Sequence, residues 1–558
     1  MNLTDGTHLT DGTHLANGTS STDSTNAHRD VVVAGGGPVG LMLACELRLG
    51  GASVVVVERR TEVDGTVKAG SINTSTAEAF YRRGMLPALA EVQQRSVERF
   101  QAFVRERQAT GETGGNGGNG GNGRPPRAPS RFAGHFAGIM LRGELVDTTD
   151  PDLVDAGPAH AVSLVPQQEI ERLLAERARE LGVEVRVGTE VTGFDADEGG
   201  IEVHVARVAD GTGESVHAHW LVGCDGGRST VRKLAGFAFP GTDPQITGHQ
   251  ALVEMTGSEA LRPGWNPTDT GMYVHGPMPG RILTVEFDGP PADREAEVTA
   301  RELQASLRHV SGAEVTIDEV HTATRFTDHA RQAADYRAGR VLLAGDAAHV
   351  HSPFGGQGLN LGLGDAMNLG WKLAAVVRGR APEGLLDSYT AERHPIGAWV
   401  LGWTRAQIAL MRPEAPARAL RDVVAELAGS VAGTTYFAKK ISGVSHRYDL
   451  PGDHPLVGRS APDLELADGT RLADLLHDGR ALLLDLADSA APRVRAEGYD
   501  ERVRVVTGTC PGRPDPAGLL VRPDGIVAWA ADTGDGPDGL ADALSRWFGD
   551  PSGELRSK

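Results

Sequence analysis

At 558 residues the chain is too long for one core and implies two or three domains. Hydrophobic residues at 40% and aromatic ones at 5% describe a globular protein, and a formal charge of −19 excludes nucleic acid and anionic membrane surfaces as partners. Three widely separated cysteines, Cys45, Cys224 and Cys510, exclude a disulfide framework and a cysteine-ligated zinc site; no metal is expected, and no apolar run spans a membrane or forms a leader, which suggests a cytoplasmic protein.

The first 28 residues open with LTDGTH at positions 3–8 and again at 9–14, too polar to bury surface, and are expected to be a disordered tail. Order begins with the apolar run Val31 to Ala34, followed at once by Gly35, Gly36, Gly37, Pro38, Val39 and Gly40 and a helix-like segment. A second apolar run, 53–57, ends in Glu58. This is GxGxxG between strand and helix with an acidic residue at the end of the next strand, the pattern of a dinucleotide site. The glycines let backbone approach a pyrophosphate, the helix N-terminus stabilises its charge, and Glu58 can accept from ribose hydroxyls. Uninterrupted rather than alternating apolar runs predict a parallel sheet buried on both faces.

A helix is predicted to end near Gly84. Lys68, ahead of it, either reaches a phosphate or is solvated. Residues 111–129, rich in Gly and Asn, are expected to be a flexible loop. A helix over 168–181 is opened by Gln167, which either bonds a ligand or caps the helix, and strands are predicted at 183–187 and at Val191. Asp225 and Gly226 mark another strand-to-helix turn. From 237 to 335 alternating runs predict an antiparallel sheet, one face of which can line a pocket.

The segment from Gly339 to Ala374 reads as a buried strand, a turn at Gly345 and Asp346, a glycine-rich loop, and a helix from about Leu359. Gly355, Gly356, Gly358 and Gly362 bare backbone N–H groups at a helix N-terminus. Asp346, at the strand's end, can accept hydrogen bonds from sugar or ribityl hydroxyls. A long helix follows, expected to be interrupted at Pro395, and residues 454–558 resemble a thioredoxin-like domain without a CxxC pair.

Three motifs in this order, GGGPVG, CDGGRS and GDAAHVHSPFGGQGLN, resemble those of the class A flavoprotein monooxygenases, the group of para-hydroxybenzoate hydroxylase and phenol hydroxylase. The C-terminal unit, with Arg522, Pro523, Asp524, Gly525 and Trp529, is similar more narrowly to that of actinobacterial hydroxylases of aromatic polyketides. The resemblance implies an α/β fold: a Rossmann-like FAD-binding domain (29–97, 160–236 and 336–410), an inserted antiparallel-sheet substrate domain (98–159 and 237–335), a helical connection (411–453) and the thioredoxin-like domain (454–558). It implies that Gly35, Gly37 and Gly40, with Pro38 and Val39 in the same turn, hold the FAD pyrophosphate and Glu58 the adenosine ribose, with Arg59 also among the cofactor-binding residues. Gln167 falls near the ribityl chain and phosphates, Val191 near adenine, Lys68 near phosphate, and Asp225 at a turn shared by FAD and NAD(P)H. Asp346 meets the ribityl chain; Pro353, Gly355, Gly356, Gln357, Gly358, Leu359 and Asn360 lie along the isoalloxazine. Lys68 and Ser75 stand where relatives carry arginines, so a bidentate phosphate contact is lost.

The implied reaction is hydroxylation of a polycyclic aromatic polyketide by a flavin C4a-hydroperoxide, with NAD(P)H as transient reductant, O₂ as co-substrate and no side-chain acid or base required. Baeyer–Villiger oxidation or oxidative ring cleavage is the alternative, and non-catalytic binding of FAD or a polyketide a third. A monomer or homodimer is expected.

Overall fold

The computed structural model describes residues 28–109, 132–276 and 278–551, so the expected loop at 111–129 and, apart from His28, the expected tail lie outside the described residues. Five strands, drawn from four regions of the chain, form the parallel part of one eight-stranded sheet. The elements that build and surround it are β1 (Arg29–Ala34), α1 (Pro38–Leu49), β2 (Val54–Glu58), α2 (Thr74–Tyr81), α3 (Leu86–Ala109), α4 (Gln167–Glu180), β3 (Glu184–Val187), β4 (Gly213–Gly223), β5 (Val341–Leu343), α5 (Gln357–Val377) and α6 (Asp387–Met411).

The parallel strands lie in the order β5, β4, β1, β2, β3, with Val31 beside Val54 and Trp220, and Val341 beside Leu221. Val31–Ala34, Val54–Val57, Trp220–Gly223 and Val341–Leu343 are buried and need no polar alternation, whereas β3 is half-buried along its length. The first half of β4 also pairs antiparallel with Ile201–Arg207, which pairs with Thr189–Ala196, making eight strands in all with the edge pair Arg337–Ala338. Val191 belongs to that excursion and is buried.

A five-stranded antiparallel sheet runs Gly264–Pro267, Gly271–His275, Arg281–Glu286, Thr247–Thr256, Thr316–Phe326. The helix Ala300–Ser311 covers one face through Leu303, Leu307 and Val310. Part of the sheet joins an aromatic cluster containing Phe354, Trp403 and Phe437. The C-terminal residues form a four-stranded sheet, Val503–Thr507, Ala481–Asp485, Pro516–Val521, Val527–Asp532, with the first pair parallel and the others antiparallel.

Two expectations need correction. α6 continues through Pro395 instead of stopping there. Loss of one N–H is tolerated because tertiary contacts hold the helix: Gln332 donates to the His394 carbonyl at 2.9 Å, and the Tyr389 hydroxyl donates to the Leu343 carbonyl at 2.8 Å. The boundary expected after residue 97 falls inside α3, a continuous helix of 24 residues.

Candidate functional site

Three strand-to-helix turns meet at the carboxyl ends of β1, β4 and β5. The Cys224 amide donates to the Ala34 carbonyl at 2.7 Å, the Ala344 amide to the Gly223 carbonyl at 3.0 Å, and the Gly35 amide to the Val57 carbonyl at 2.8 Å. They are neighbouring corners of one crevice, where open α/β sheets take their ligands.

The first turn is shaped by its glycines in three different ways. Gly35 has φ +105°, and a side chain there would strike the Cys224 carbonyl oxygen. A side chain on Gly40 would strike the Gly35 carbonyl oxygen, so this glycine is what lets α1 start so close beneath the turn. At Gly37 no atom of the described residues, apart from its own chain neighbours, lies within 4 Å of the position a Cβ would take. Its backbone therefore borders open space at the N-terminus of α1, where Pro38 is the first helical residue and the helix dipole favours an anion. Glu58 closes this end: its carboxylate accepts from the Gly36 amide at 2.6 Å and the Arg60 amide at 2.8 Å. Immediately beyond it an open cleft of about 480 Å³ is lined by Arg59, Arg60, Thr61, Glu62, Val63, Asp64, Gly188, Val208 and Ala209.

The second turn comes from the other end of the sheet and touches the first. A Cβ on Gly345 would lie 3.1 Å from the Val39 side chain, and one on Gly362 would lie 2.6 Å from it and 3.1 Å from the Gly345 Cα. The two glycine-bearing turns, more than 300 residues apart in sequence, thus converge on Val39. Asp346 is the one exposed residue in a run buried from Val341 to His349. Pro353 and Gly356 are exposed beside it; Gly355 and Gly356 have φ +80° and +61°, and a Cβ on Gly356 would meet nothing. Among the described residues, no hydrogen-bond partner reaches the buried Nε2 of His351 or the buried Oγ of Ser352. Burial holds the His351 imidazole below its usual range, against the opposing pull of the Ser352 carbonyl and the Asp346 charge.

Other residues singled out from sequence do work within the protein. Gln357 is buried and donates to the Gly355 carbonyl at 3.0 Å. Asn360 accepts from the Asn73 amide at 2.9 Å and the Thr76 hydroxyl at 2.8 Å and donates to the Gly356 carbonyl at 2.7 Å, tying the loop to the start of α2. Gly358 sits over His351 and Asp346, and Leu359 packs half-buried against the parallel-sheet core. The Asp225 carboxylate caps Thr230–Leu234, accepting from the Ser229 hydroxyl and the Thr230 and Val231 amides. Gln167 donates to Glu171 at 2.8 Å, and its amide binds the Ala69 carbonyl at 2.9 Å. Lys68, half-buried, pairs with Asp64 at 2.9 Å. Burial would raise the Asp64 carboxyl, but bonds from Lys68 and Thr66 hold it well below the carboxylate range.

Sequence reasoning missed the residues that fix the second turn from behind. Asp365, fully buried, accepts from the Gly345 amide at 3.0 Å, His349 Nε2 at 2.7 Å and Arg393 Nε at 2.8 Å. A signal existed: Asp365, Asn368 and Lys372 interrupt the otherwise apolar stretch from Leu361 to Val377 at helical spacing.

These features fit a dinucleotide with a hydroxylated linker and a flat ring: bare backbone N–H groups at two helix starts, unfilled space over Gly37 and Gly356, an exposed carboxylate between them, and unpartnered polar atoms beside the loop. Family comparison agrees. The family described as FAD binding domain matches residues 28–404, and that described as aromatic-ring hydroxylase, C-terminal, matches residues 454–551. The 12-dehydrotetracycline 5-monooxygenase/anhydrotetracycline 6-monooxygenase of Streptomyces rimosus is 40% identical over 552 residues, covering 94% of this chain and 99% of its own. The rifampicin monooxygenase of Streptomyces venezuelae is 40% identical over 526 residues, covering 93% and 98%. Among solved structures, the anhydrotetracycline hydroxylase of Streptomyces rimosus has a TM-score of 0.79 at 39% identity, covering 94% of this chain and 100% of its own. With its two glycine turns meeting over one crevice, this chain belongs to the FAD-dependent aromatic-ring hydroxylases, the class A flavoprotein monooxygenases.

Proposed function

We propose that this monooxygenase hydroxylates a polycyclic aromatic polyketide, with FAD resident in the crevice and NAD(P)H docking transiently as reductant. The observation that carries the reading is the convergence of the two glycine turns on Val39, with Asp346 exposed at the junction. Bound FAD supplies hydride acceptance and O₂ activation, so that ArH, O₂, NAD(P)H and H⁺ give ArOH, H₂O and NAD(P)⁺.

The protein binds and orients. Gly35, Gly37, Pro38, Val39 and Gly40 hold the diphosphate against the α1 N-terminus, and Glu58 and Arg59 take the adenosine ribose, with Val191 toward adenine. Asp346 accepts from ribityl hydroxyls, and Gln167, Asp225 and Lys68 stand by as neighbours of the linker, Lys68 after exchange of Asp64 for phosphate. Pro353 and the segment from Gly355 to Asn360 border the ring, where backbone N–H groups at the start of α5 stabilise negative charge on its pyrimidine edge. The substrate lies on the antiparallel-sheet side of Phe354, whose ring packs edge-on against Trp265 and Phe326 at centroid distances of 6.1 and 5.7 Å. The domain division is the one expected from sequence, with the residue-97 boundary moved to the end of α3. The C-terminal unit is a redox-silent thioredoxin-like domain: Cys510 is the single cysteine from residue 454 onward and is buried.

The test is incubation of purified protein with NAD(P)H, ¹⁸O₂ and candidate polycyclic phenols. Substrate-dependent NAD(P)H consumption with one labelled hydroxyl in the product is expected. A labelled lactone or ester oxygen would assign Baeyer–Villiger chemistry instead, and protein lacking absorbance near 450 nm after incubation with FAD would overturn the flavin reading.

A further inference from the structure

The helix that starts at the proposed flavin loop carries a polar seam along one side. On α5 the Leu361 carbonyl, Asp365, Asn368 and Lys372 share a face, and all four residues are buried. Two consecutive residues of α6 grip this face. Arg393 donates to Asp365 at 2.8 Å and to the Leu361 carbonyl at 2.8 Å; Glu392 accepts from Asn368 at 2.6 Å and Lys372 at 3.0 Å. The grip is completed from outside the sheet domain. Arg522, 0% exposed, sets its two terminal nitrogens on the two Glu392 oxygens at 2.8 Å each, bonds Asp524, and stacks 4.4 Å from the Trp547 ring centre. Arg522 and Asp524 belong to the RPDG stretch of the C-terminal unit, to which the reaction assigns no task. At its far end the seam reaches the turn itself, since Asp365 holds the Gly345 amide and His349.

An apolar helix contact of the same size would tolerate axial slippage, whereas directional bonds at successive turns fix one register. A buried ion pair is weak evidence for stability, because desolvation cancels most of its attraction; where it fixes geometry, the geometry is its consequence.

We propose that Arg522 is a positioning residue for the flavin-side turn, acting through Glu392, Arg393 and Asp365, so that the C-terminal unit sets the placement of Gly345 and Asp346 against the cofactor. The proposal rests on the flavin reading above. It gives the unit a task in the reaction that needs no thiol.

The experiment uses full-length protein with Arg522→Met, Arg522→Lys, Asp365→Asn and the double variant Arg522→Met/Asp365→Asn. FAD affinity of the apoprotein, the shape of the bound flavin's visible band, and the fraction of NAD(P)H electrons lost as H₂O₂ are measured beside far-UV circular dichroism. Arg522→Met is expected to weaken FAD binding about tenfold and raise peroxide release at unchanged helix content, and Arg522→Lys, which keeps charge without the fork, about threefold. The double variant is expected to lose less than the product of the single losses, the signature of residues in one chain of contacts. If Arg522→Met does not fold, Arg522→Lys carries the test. Folded Arg522 variants with wild-type affinity, spectrum and coupling would overturn the proposal, as would losses that multiply in the double variant. A wild-type chain that takes up no FAD overturns the flavin reading itself, a distinguishable result.

Discussion

Gly37 and Gly40 stand in one turn yet respond differently to an added methyl group. Gly37 has φ −72° and nothing within 4 Å of a new Cβ, so Gly37→Ala is expected to leave the apoprotein's urea midpoint unchanged while lowering FAD affinity at least tenfold, because the methyl occupies the space assigned to the diphosphate. Gly40→Ala strikes the Gly35 carbonyl and is expected to cost about 1–3 kcal/mol of stability as well as the flavin. Equal effects of the two on cofactor-free stability would contradict these assignments. Asp346→Ala is expected to give folded, colourless protein, and Asp346→Asn, which retains one accepting oxygen, to keep part of its 450 nm absorbance after FAD titration. These residues were legible because glycine and acid spacing around a strand end has a local cause. Gly345's dependence on Asp365 was not, since that bond joins a turn to a position 20 residues further along the chain.

Among the elements, α1 and α5 approach closely enough that glycine is required just past the end of α1 and within α5: a side chain on Gly50 would strike Ala374, and one on Gly370 would strike Glu46. Glu46 is itself committed, paired with Arg83 through bonds of 2.7 and 2.6 Å in the interior. Gly370→Ala is therefore expected to lower stability by about 1–3 kcal/mol in urea titrations of the apoprotein, with little change if the helices separate freely. The parallel strands and the helices α1, α2, α4, α5 and α6 could be read from sequence, because buried parallel strands are continuous apolar runs and helices show apolar residues every three to four positions, whereas α3, the helix Ala300–Ser311 and the strand Ile201–Arg207 were not anticipated. The course of α6 through Pro395 could not be read either. Proline disfavours a helix locally, and only contacts from Gln332 and Tyr389, arranged by the fold, show why this one continues.

Across the whole molecule, His135, His446 and Glu392 make stability fall on acidification, while Glu78, Asp155 and Asp463, whose carboxyls burial pushes up, act in the opposite direction. Burial, aided by Arg421, pushes His135 down to about 4; burial, aided by Arg393 and Lys440, pushes His446 down to about 3. The unfolded chain protonates both near 6.5, so below that pH it binds more protons than the folded chain and stability falls. Burial would raise Glu392, but Arg522 and Lys372 hold it at about 2, so its contribution, present above 4.5, is lost as pH falls from there toward 2. Urea midpoints measured at pH 7, 5.5 and 4 are expected to decline steadily, with the loss between 7 and 5.5 reduced in a His446→Asn variant. A midpoint that rises on acidification would refute this.

The strand order has a consequence for synthesis. β4 lies between β1 and β5, and α1 lies against α5, which ends at Val377. A nascent chain leaving the ribosome can pair β1 with β2 and β4 once residue 223 has emerged, but it must keep the edge of β4 that β5 covers and the side of α1 that α5 covers bare until well over half of its length has been translated. Chaperone demand should be concentrated in that interval, and translation stalls placed before residue 377 should yield a larger insoluble fraction than release of the full-length chain does.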